Sequence, residues 1–373
     1  MNYKVFNDIL NIYENEIRKN TKNKSKIYNF EKYKFENINN IYNTIVNYNN
    51  NYTCKYNIFL ITKPKFRIVM SLNIKDKVIN HYITRNYLIP NLEKYLDDRN
   101  VATRKNKGTS YARKLLNKYI EENKKYDNFY ILKLDISKYF YTIDHNILKS
   151  MLIDKLDSYS YNFICDILSS TNSIYVNEKI NKIKKYYISL FPNRKKEIEK
   201  IPIYEYNKGL PIGNMTSQFL SIFYLYELDH KIIYDYKIKY YIHYMDDFIL
   251  IDKDKNKLKK IYKLIEKELI EKYKLKLNKN KCKIVSIKEG FVFLGYRYKV
   301  LNKKTIIKIE KLSKKRIIKR IKEVKYLYKN NYINLETFFT SINTFLNIYK
   351  VNKGVIYRNI NKYIFNKSSE FNK

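Results

Sequence analysis

Apolar residues along the chain fall into short runs and helical spacings that change character several times. Residues 1 to about 60 scatter Ile, Phe and Tyr among Asn and Lys, a pattern that suits short helices with polar connections. From Phe59 the text FLITKPKFRIVMSLN reads as two β-rich runs around a Lys-Pro turn. IKDKVINHYITRNYLIPNLEKYL then spaces its apolar residues by three and four, as a helix does, with Pro90 expected to break or bend it. A basic, Gly-containing loop, RNVATRKNKG, runs into the helical TSYARKLLNKYIEE and offers cations and backbone N–H groups to phosphates.

FYILKLDISKYF is strand-like, and TIDHNILKSMLIDKL returns to helical spacing. Residues 171–206 are polar and lysine-rich, and read as an insertion with its own short helix or hairpin. KGLPIGNMTSQFLSIFYLYELDHKI opens on turn residues and continues as a helix, while KYYIHYMDDFILI is two strand-like runs around Met-Asp-Asp, hence a hairpin. An amphipathic helix over about 255–273, a short hairpin ending in EGFVFLGYRYKV and a basic helical tail from about 311 complete the chain.

Composition adds a partner to this picture. Lys and Arg number 75 against 36 Asp and Glu, a net charge of +39. An AT-rich genome accounts for Lys outnumbering Arg, but not for the missing acids, so the charge points to a polyanion. Nothing resembles an amphipathic or lipidated anchor, a signal peptide, or an apolar run of the about 18 residues that a membrane span needs. Cys54, Cys165 and Cys282 form no CxxC or Cys/His cluster, so neither a zinc site nor a disulfide framework is implied, and a reducing cytoplasm fits.

The chemistry centres on carboxylates. Asp246 and Asp247 sit at a hairpin turn, where a sheet edge would hold both and their repulsion calls for a cation. Asp135 ends the apolar run FYILKL, and a strand in the same sheet would bring it opposite the pair. Three such carboxylates suit two Mg²⁺ ions, or Mn²⁺ in their place, for phosphoryl transfer. Asp135 and Asp246 are the expected bridging ligands, the carbonyl of Ile136 a further oxygen, and Asp247 either a ligand or a support behind the ligands.

At these residues the chain resembles the prokaryotic reverse transcriptases related to those of group II introns. LKLDISKYFYTIDH is similar to that family's first catalytic motif, GLPIGNMTSQFLS to its nucleotide-and-template motif, and YMDD to its second catalytic motif. LNKNKCKI and FVFLGYRY match its two later palm motifs. Five motifs in order make the resemblance specific. It implies an α+β right-hand polymerase with fingers over 1–125, a palm of antiparallel sheet and helices over 126–300, and a helical thumb over 301–373. The 171–206 insertion then falls within the palm. It also implies an RNA-directed DNA polymerase whose partners are a template RNA, a primer or cDNA strand, deoxynucleotides and a basic accessory protein. The chain after FLGYRY has room for a thumb but not for a ribonuclease H or endonuclease domain, so strand degradation and nicking are expected from elsewhere.

The same resemblance gives roles around the nucleotide. Phe140, five residues after Asp135, takes the place of an aromatic gate against a ribose 2′-hydroxyl. Lys65 and Arg67 resemble fingertip cations on the triphosphate, although Lys65 also reads as a solvated edge residue. Lys281 matches a lysine beside the leaving pyrophosphate that acts as general acid, or is one more surface lysine. Phe293, Leu294, Gly295 and Tyr296 resemble the primer grip, with Phe293 and Tyr296 equally readable as hairpin core. Where most group II-type enzymes have Gln-Gly and end the motif with Ser-Pro, this chain has Ile212-Gly213 and Ser217-Gln218. That variant resembles the diversity-generating retroelement enzymes and implies low fidelity opposite template adenine. The rivals are a bacterial antiphage-defence reverse transcriptase, an RNA-dependent RNA polymerase and a non-catalytic RNA-binding scaffold; a retron enzyme is disfavoured by the missing Val-Thr-Gly of its thumb.

Overall fold

The computed structural model describes residues 2–62 and 65–348, the side chains of 345–348 excepted. Lys63 and Pro64, the expected Lys-Pro turn, lie outside the described residues, as does the chain from 349 onward. Two compact units emerge: one formed by 1–116 with 132–284, the other by 117–131 with 285–373.

The first unit begins with helices Tyr3–Ile12, Lys24–Glu31 and Lys34–Val46, the last burying Ile38, Ile41, Tyr42 and Ile45 at helical spacing. Strands β1 (Tyr56–Ile61) and β2 (Arg67–Leu72) pair antiparallel, with Ile61 opposite Arg67. The helix Ile74–Ile83 does not break at Pro90. It passes through a wider turn over Thr84–Leu88 into the short helix Ile89–Leu92, whose first turn is where a proline's missing N–H costs nothing.

A four-stranded sheet forms the centre, in the order β4 (Tyr240–Tyr244), β5 (Asp247–Asp252), β3 (Tyr130–Asp135) and β6 (Lys283–Ser286). The apolar runs predict this, because β5 is buried throughout its interior residues. The helix Lys255–Glu271 covers β5 with Leu258, Ile261, Ile265 and Leu269, while the helix Met215–Phe223 is buried almost all round. A buried seam from Thr216 Oγ1 to Thr84 Oγ1 (2.9 Å) and Asn80 Oδ1 (3.0 Å) ties that helix to the N-terminal half. The insertion is more helical than expected: Ile174–Leu190 forms one long helix, followed by Lys195–Glu199. Only Val176 and Ile180 of the long helix are buried, a stripe too thin to read from spacing.

The second unit has a three-stranded sheet, β7 (Phe291–Phe293), β8 (Tyr296–Leu301) and β9 (Lys304–Ile309), rather than a simple hairpin. Its helices, Lys311–Lys329 and Leu335–Ile348, share a core of Ile317, Ile321, Val324, Phe338 and Ile342. Among the described residues no helix is long and apolar enough to cross a membrane.

Candidate active site

The hairpin β4/β5 pairs Tyr244 with Asp247, so Met245 and Asp246 alone make the turn. Met245 takes φ +57°, a left-handed conformation uncommon for a residue with a side chain. The peptide groups on either side of Asp246 are held. His243 Nε2 lies 2.7 Å from the carbonyl of Met245, and the N–H of Ile136 donates to the carbonyl of Asp246 at 3.0 Å. Met245 Sδ also accepts from Ser221 Oγ of the Met215–Phe223 helix at 3.6 Å.

The Ile136 hydrogen bond joins the end of β3 to the turn, so the expected trio does share one locality. Asp135 is buried, and its carbonyl accepts from the N–H of Asn278 at 2.8 Å. Cys282 Sγ lies 3.4 Å from the Asp135 nitrogen, an acceptor set against its backbone. Lys281 Nζ donates to Asp135 Oδ2 at 2.6 Å, and Lys133 Nζ sits 3.3 Å from Asp247 Oδ1. Asp135 Oδ1 is buried and accepts no hydrogen bond, and buried Asp247 Oδ1 has only its ion pair with Lys133.

These contacts leave their mark on the proton affinities. Burial, then the charges of Asp247 and Asp135, push the Asp246 carboxyl above its usual range. Burial and Asp135 do the same to Asp247, against the pull of Lys133. Partial burial opposes the charge on Lys281, but the hydrogen bond and charge of Asp135, then the charges of Asp246 and Asp247, outweigh it and raise its pKa above the ordinary lysine value.

Crowded carboxylates, one with an orphaned oxygen, are hard donors suited to a divalent cation. Among the described residues, however, no three His, Cys, Asp or Glu side chains stand close enough to encage a metal ion by themselves. Lys281 and Lys133 meet the charge of two of the three acids instead.

The other predicted residues form a connected frame in the same unit. Phe140 is half-buried in the short helix Tyr139–Thr142, and its carbonyl accepts from the Leu210 N–H at 2.6 Å. Gly209 (φ +88°) makes this approach possible, since a Cβ there would come within 2.7 Å of the Tyr204 ring. The N–H of Met70 on β2 donates to the Ile212 carbonyl at 3.1 Å, and Asn214 Nδ2 donates to the Met70 carbonyl at 3.2 Å. Gly213 (φ +112°) is exposed and lies against Val69, while Gln218 is half-buried on the Met215–Phe223 helix. Lys65 and Arg67 are both exposed. Burial pushes the neighbouring Tyr141 up to about 12, opposed by a bond to the Ile68 backbone and by the charge of Arg67, which sets Arg67 beside the Phe140 segment.

Phe293, Leu294, Gly295 and Tyr296 belong to the second unit. Leu294 and Gly295 make the β7/β8 turn with φ +44° and +82°, as a two-residue hairpin requires. The rings of Phe293 and Tyr296 are fully buried, hence hairpin core. Sequence reasoning missed Lys133 and His243 as parts of the site. Lys133 had a signal, standing two residues before Asp135 and so on the same face of the strand.

An α+β fold whose central sheet carries an acidic turn beside a third buried carboxylate is that of a polymerase palm. A family model described as reverse transcriptase (RNA-dependent DNA polymerase) matches residues 55–298, well over half the chain, and the chain belongs to that family. Apo telomerase from Candida tropicalis, truncated from its C-terminal domain, is similar in structure at 16% identity and a TM-score of 0.44, with 68% of this chain and 55% of that one covered. Telomerase from Candida albicans in complex with a TWJ fragment of telomeric RNA is similar at 15% identity and a TM-score of 0.43, with 79% and 54% covered. The chain thus spans little more than half the length of these structures. No curated protein matches.

Proposed function

We propose that this protein copies an RNA template into DNA, with Asp135 and Asp246 as bridging ligands of two divalent cations and Asp247 as a ligand or their support. The observation that carries this reading is the Ile136–Asp246 hydrogen bond, which joins two sequence-distant carboxylates into one cation-seeking cluster. When bound, Mg²⁺ or Mn²⁺ would lower the pKa of the attacking 3′-hydroxyl and neutralise the triphosphate. Lys281, an ammonium set beside Asp135, is the general acid for the leaving pyrophosphate. Arg67 grips the triphosphate with its guanidinium fork, Lys65 assisting, and Phe140 excludes the ribose 2′-hydroxyl.

In this reading residues 1–125 are fingers, 126–300 palm and the chain from 301 thumb, with Leu294–Gly295 touching the primer strand. The helix Lys311–Lys329 buries one stripe and exposes Lys314, Lys315, Arg316, Lys319, Arg320 and Lys322, a face suited to the phosphates of an A-form hybrid. Template RNA, primer, deoxynucleotides and a basic accessory protein are the partners. Ile212 and Gln218 favour a diversity-generating retroelement. Without the amide of a glutamine beside the nascent pair, discrimination opposite template adenine weakens. Ordinary misincorporation at adenine would reject that subtype and return the antiphage-defence role. For the activity itself, Asp246→Asn should abolish primer extension while RNA retention on a filter persists; surviving synthesis overturns the metal assignment.

A further inference from the structure

Beneath the Met245–Asp246 turn lies a polar cluster sealed from solvent. His243, Asp229 and Asn100 are all fully buried. Asp229 accepts from the Tyr241 hydroxyl at 2.6 Å and from Asn100 Nδ2 at 2.9 Å. Asn100 Nδ2 also donates to the Ile222 carbonyl at 3.2 Å, so two acceptors fix which way the amide points. The ring of His243 stacks on Phe248 with centroids 4.3 Å apart and planes 14° from parallel. Its backbone is clamped by the 99–101 segment, the His243 N–H donating to the Arg99 carbonyl and the Val101 N–H donating to the His243 carbonyl.

The two ring nitrogens face different groups. Nδ1 is 2.9 Å from the Asp229 carboxylate and 3.1 Å from Asn100 Nδ2. Nε2 is 2.7 Å from the Met245 carbonyl, which can only accept, so the ring proton that meets it sits on Nε2.

We propose that His243 is a positioning residue that is braced by Asp229 and Asn100 and donates from Nε2 to the Met245 carbonyl, fixing the turn that carries Asp246. The inference rests on the reading of that turn as part of the metal site. His243 touches neither substrate nor cation; it acts through the backbone, and Ile136 holds the following carbonyl from the opposite strand.

The test has two arms. The chain has four histidines, so ¹⁵N-histidine spectra at neutral pH are assigned by substituting them singly. Nε2 of His243 should show the protonated shift, and a ring protonated at Nδ1 alone overturns the proposal. In the second arm Mn²⁺ binding is followed by electron paramagnetic resonance. His243→Gln should weaken it by about 10–100-fold, the usual scale for groups that orient a ligand. His243→Arg, which keeps N–H donors for the Met245 carbonyl and Asp229, should recover most of the loss, whereas a purely space-filling role would not be rescued. Unchanged affinity in folded His243→Gln overturns the proposal, and if that variant does not fold, the spectra of the unmodified protein still decide. Asp246→Asn is measured alongside. If it leaves Mn²⁺ binding intact, the proposed metal site fails, while the Nε2 proton of His243 is judged separately by its spectrum.

Discussion

Lys281→Ala tests whether an ammonium neutralises the carboxylate cluster in the metal-free protein. Nζ lies 2.6 Å from Asp135 Oδ2, with the lysine side chain 48% exposed and the aspartate side chain 6%. Breaking a buried ion pair costs about 3–5 kcal/mol, because it strands a charge, whereas an exposed pair contributes only about 0–1. A pair with one half-exposed partner falls between, at about 2 kcal/mol after solvent screening. Since each kcal/mol moves the melting temperature of a domain of 150–250 residues by about 2–4 °C, the variant should melt roughly 4–8 °C lower in chelator. A divalent cation that binds only the native state restores the missing positive charge, so Mg²⁺ or Mn²⁺ should raise the variant's melting temperature by more than it raises the parent's. The pH dependence has a definite sign. Because the folded pKa of Lys281 is raised, its contribution is complete below the ordinary lysine value and is lost as pH rises through the raised one, so the deficit of the variant should shrink in alkaline buffer. Thermal unfolding with and without metal reads all of this. Equal melting temperatures in chelator, or equal increments on adding metal, refute the reasoning.

Three further outcomes follow from the same geometry. Asp246 and Asp247 have folded pKa values above their unfolded ones, so the metal-free protein binds more protons folded than unfolded and loses stability as pH climbs from the ordinary carboxylate value through the raised ones. Asp246→Asn should flatten that decline in chelator melts, and a steeper decline would contradict the assignment of repulsion. Phe140→Ala should raise ribonucleotide incorporation relative to deoxynucleotide by about 10–200-fold, the span of steric discrimination at a pocket wall, read by primer extension in mixed nucleotides; an unchanged ratio removes the gate. Gly209→Ala drives a methyl within 2.7 Å of the Tyr204 ring and 3.2 Å of the Phe140 carbonyl at φ +88°. It should cost about 1–3 kcal/mol in denaturant unfolding and loosen the same nucleotide selectivity, and a neutral effect on both would show that this contact does not set the Phe140 position.

Much of the centre was legible because two periods and a turn announce it: the apolar runs of β3, β4 and β5, and the acidic residues that interrupt or end them. β9 was not read, because KTIIKI lacks a clean alternation, Ile306 falling on the same side as Lys304 and Lys308. Its turn is Asn302–Lys303, with φ +46° and +56°, and the usual glycine is missing from the second position. The aromatic residues of FLGY were ambiguous because a ring that grips a primer and a ring that fills a hairpin have the same spacing, and only burial separates them.

The cluster under the turn was beyond any spacing argument, since Asn100 and His243 are 143 residues apart and Asp229 lies 14 before the histidine. Its energetic scale nonetheless explains how an ordinary residue can occupy the turn. A left-handed conformation costs a non-glycine residue about 1–2 kcal/mol, and an intramolecular hydrogen bond contributes about 0.5–1.5. The His243–Met245 bond is therefore of the size needed to offset much of the φ +57° of Met245. Glycine at 245 would relieve the strain without help, but it would also remove the side chain that packs Sδ against Ser221 and leave the turn freer to move. A strained methionine held from below gives a stiffer platform for two mutually repelling carboxylates than a relaxed glycine would.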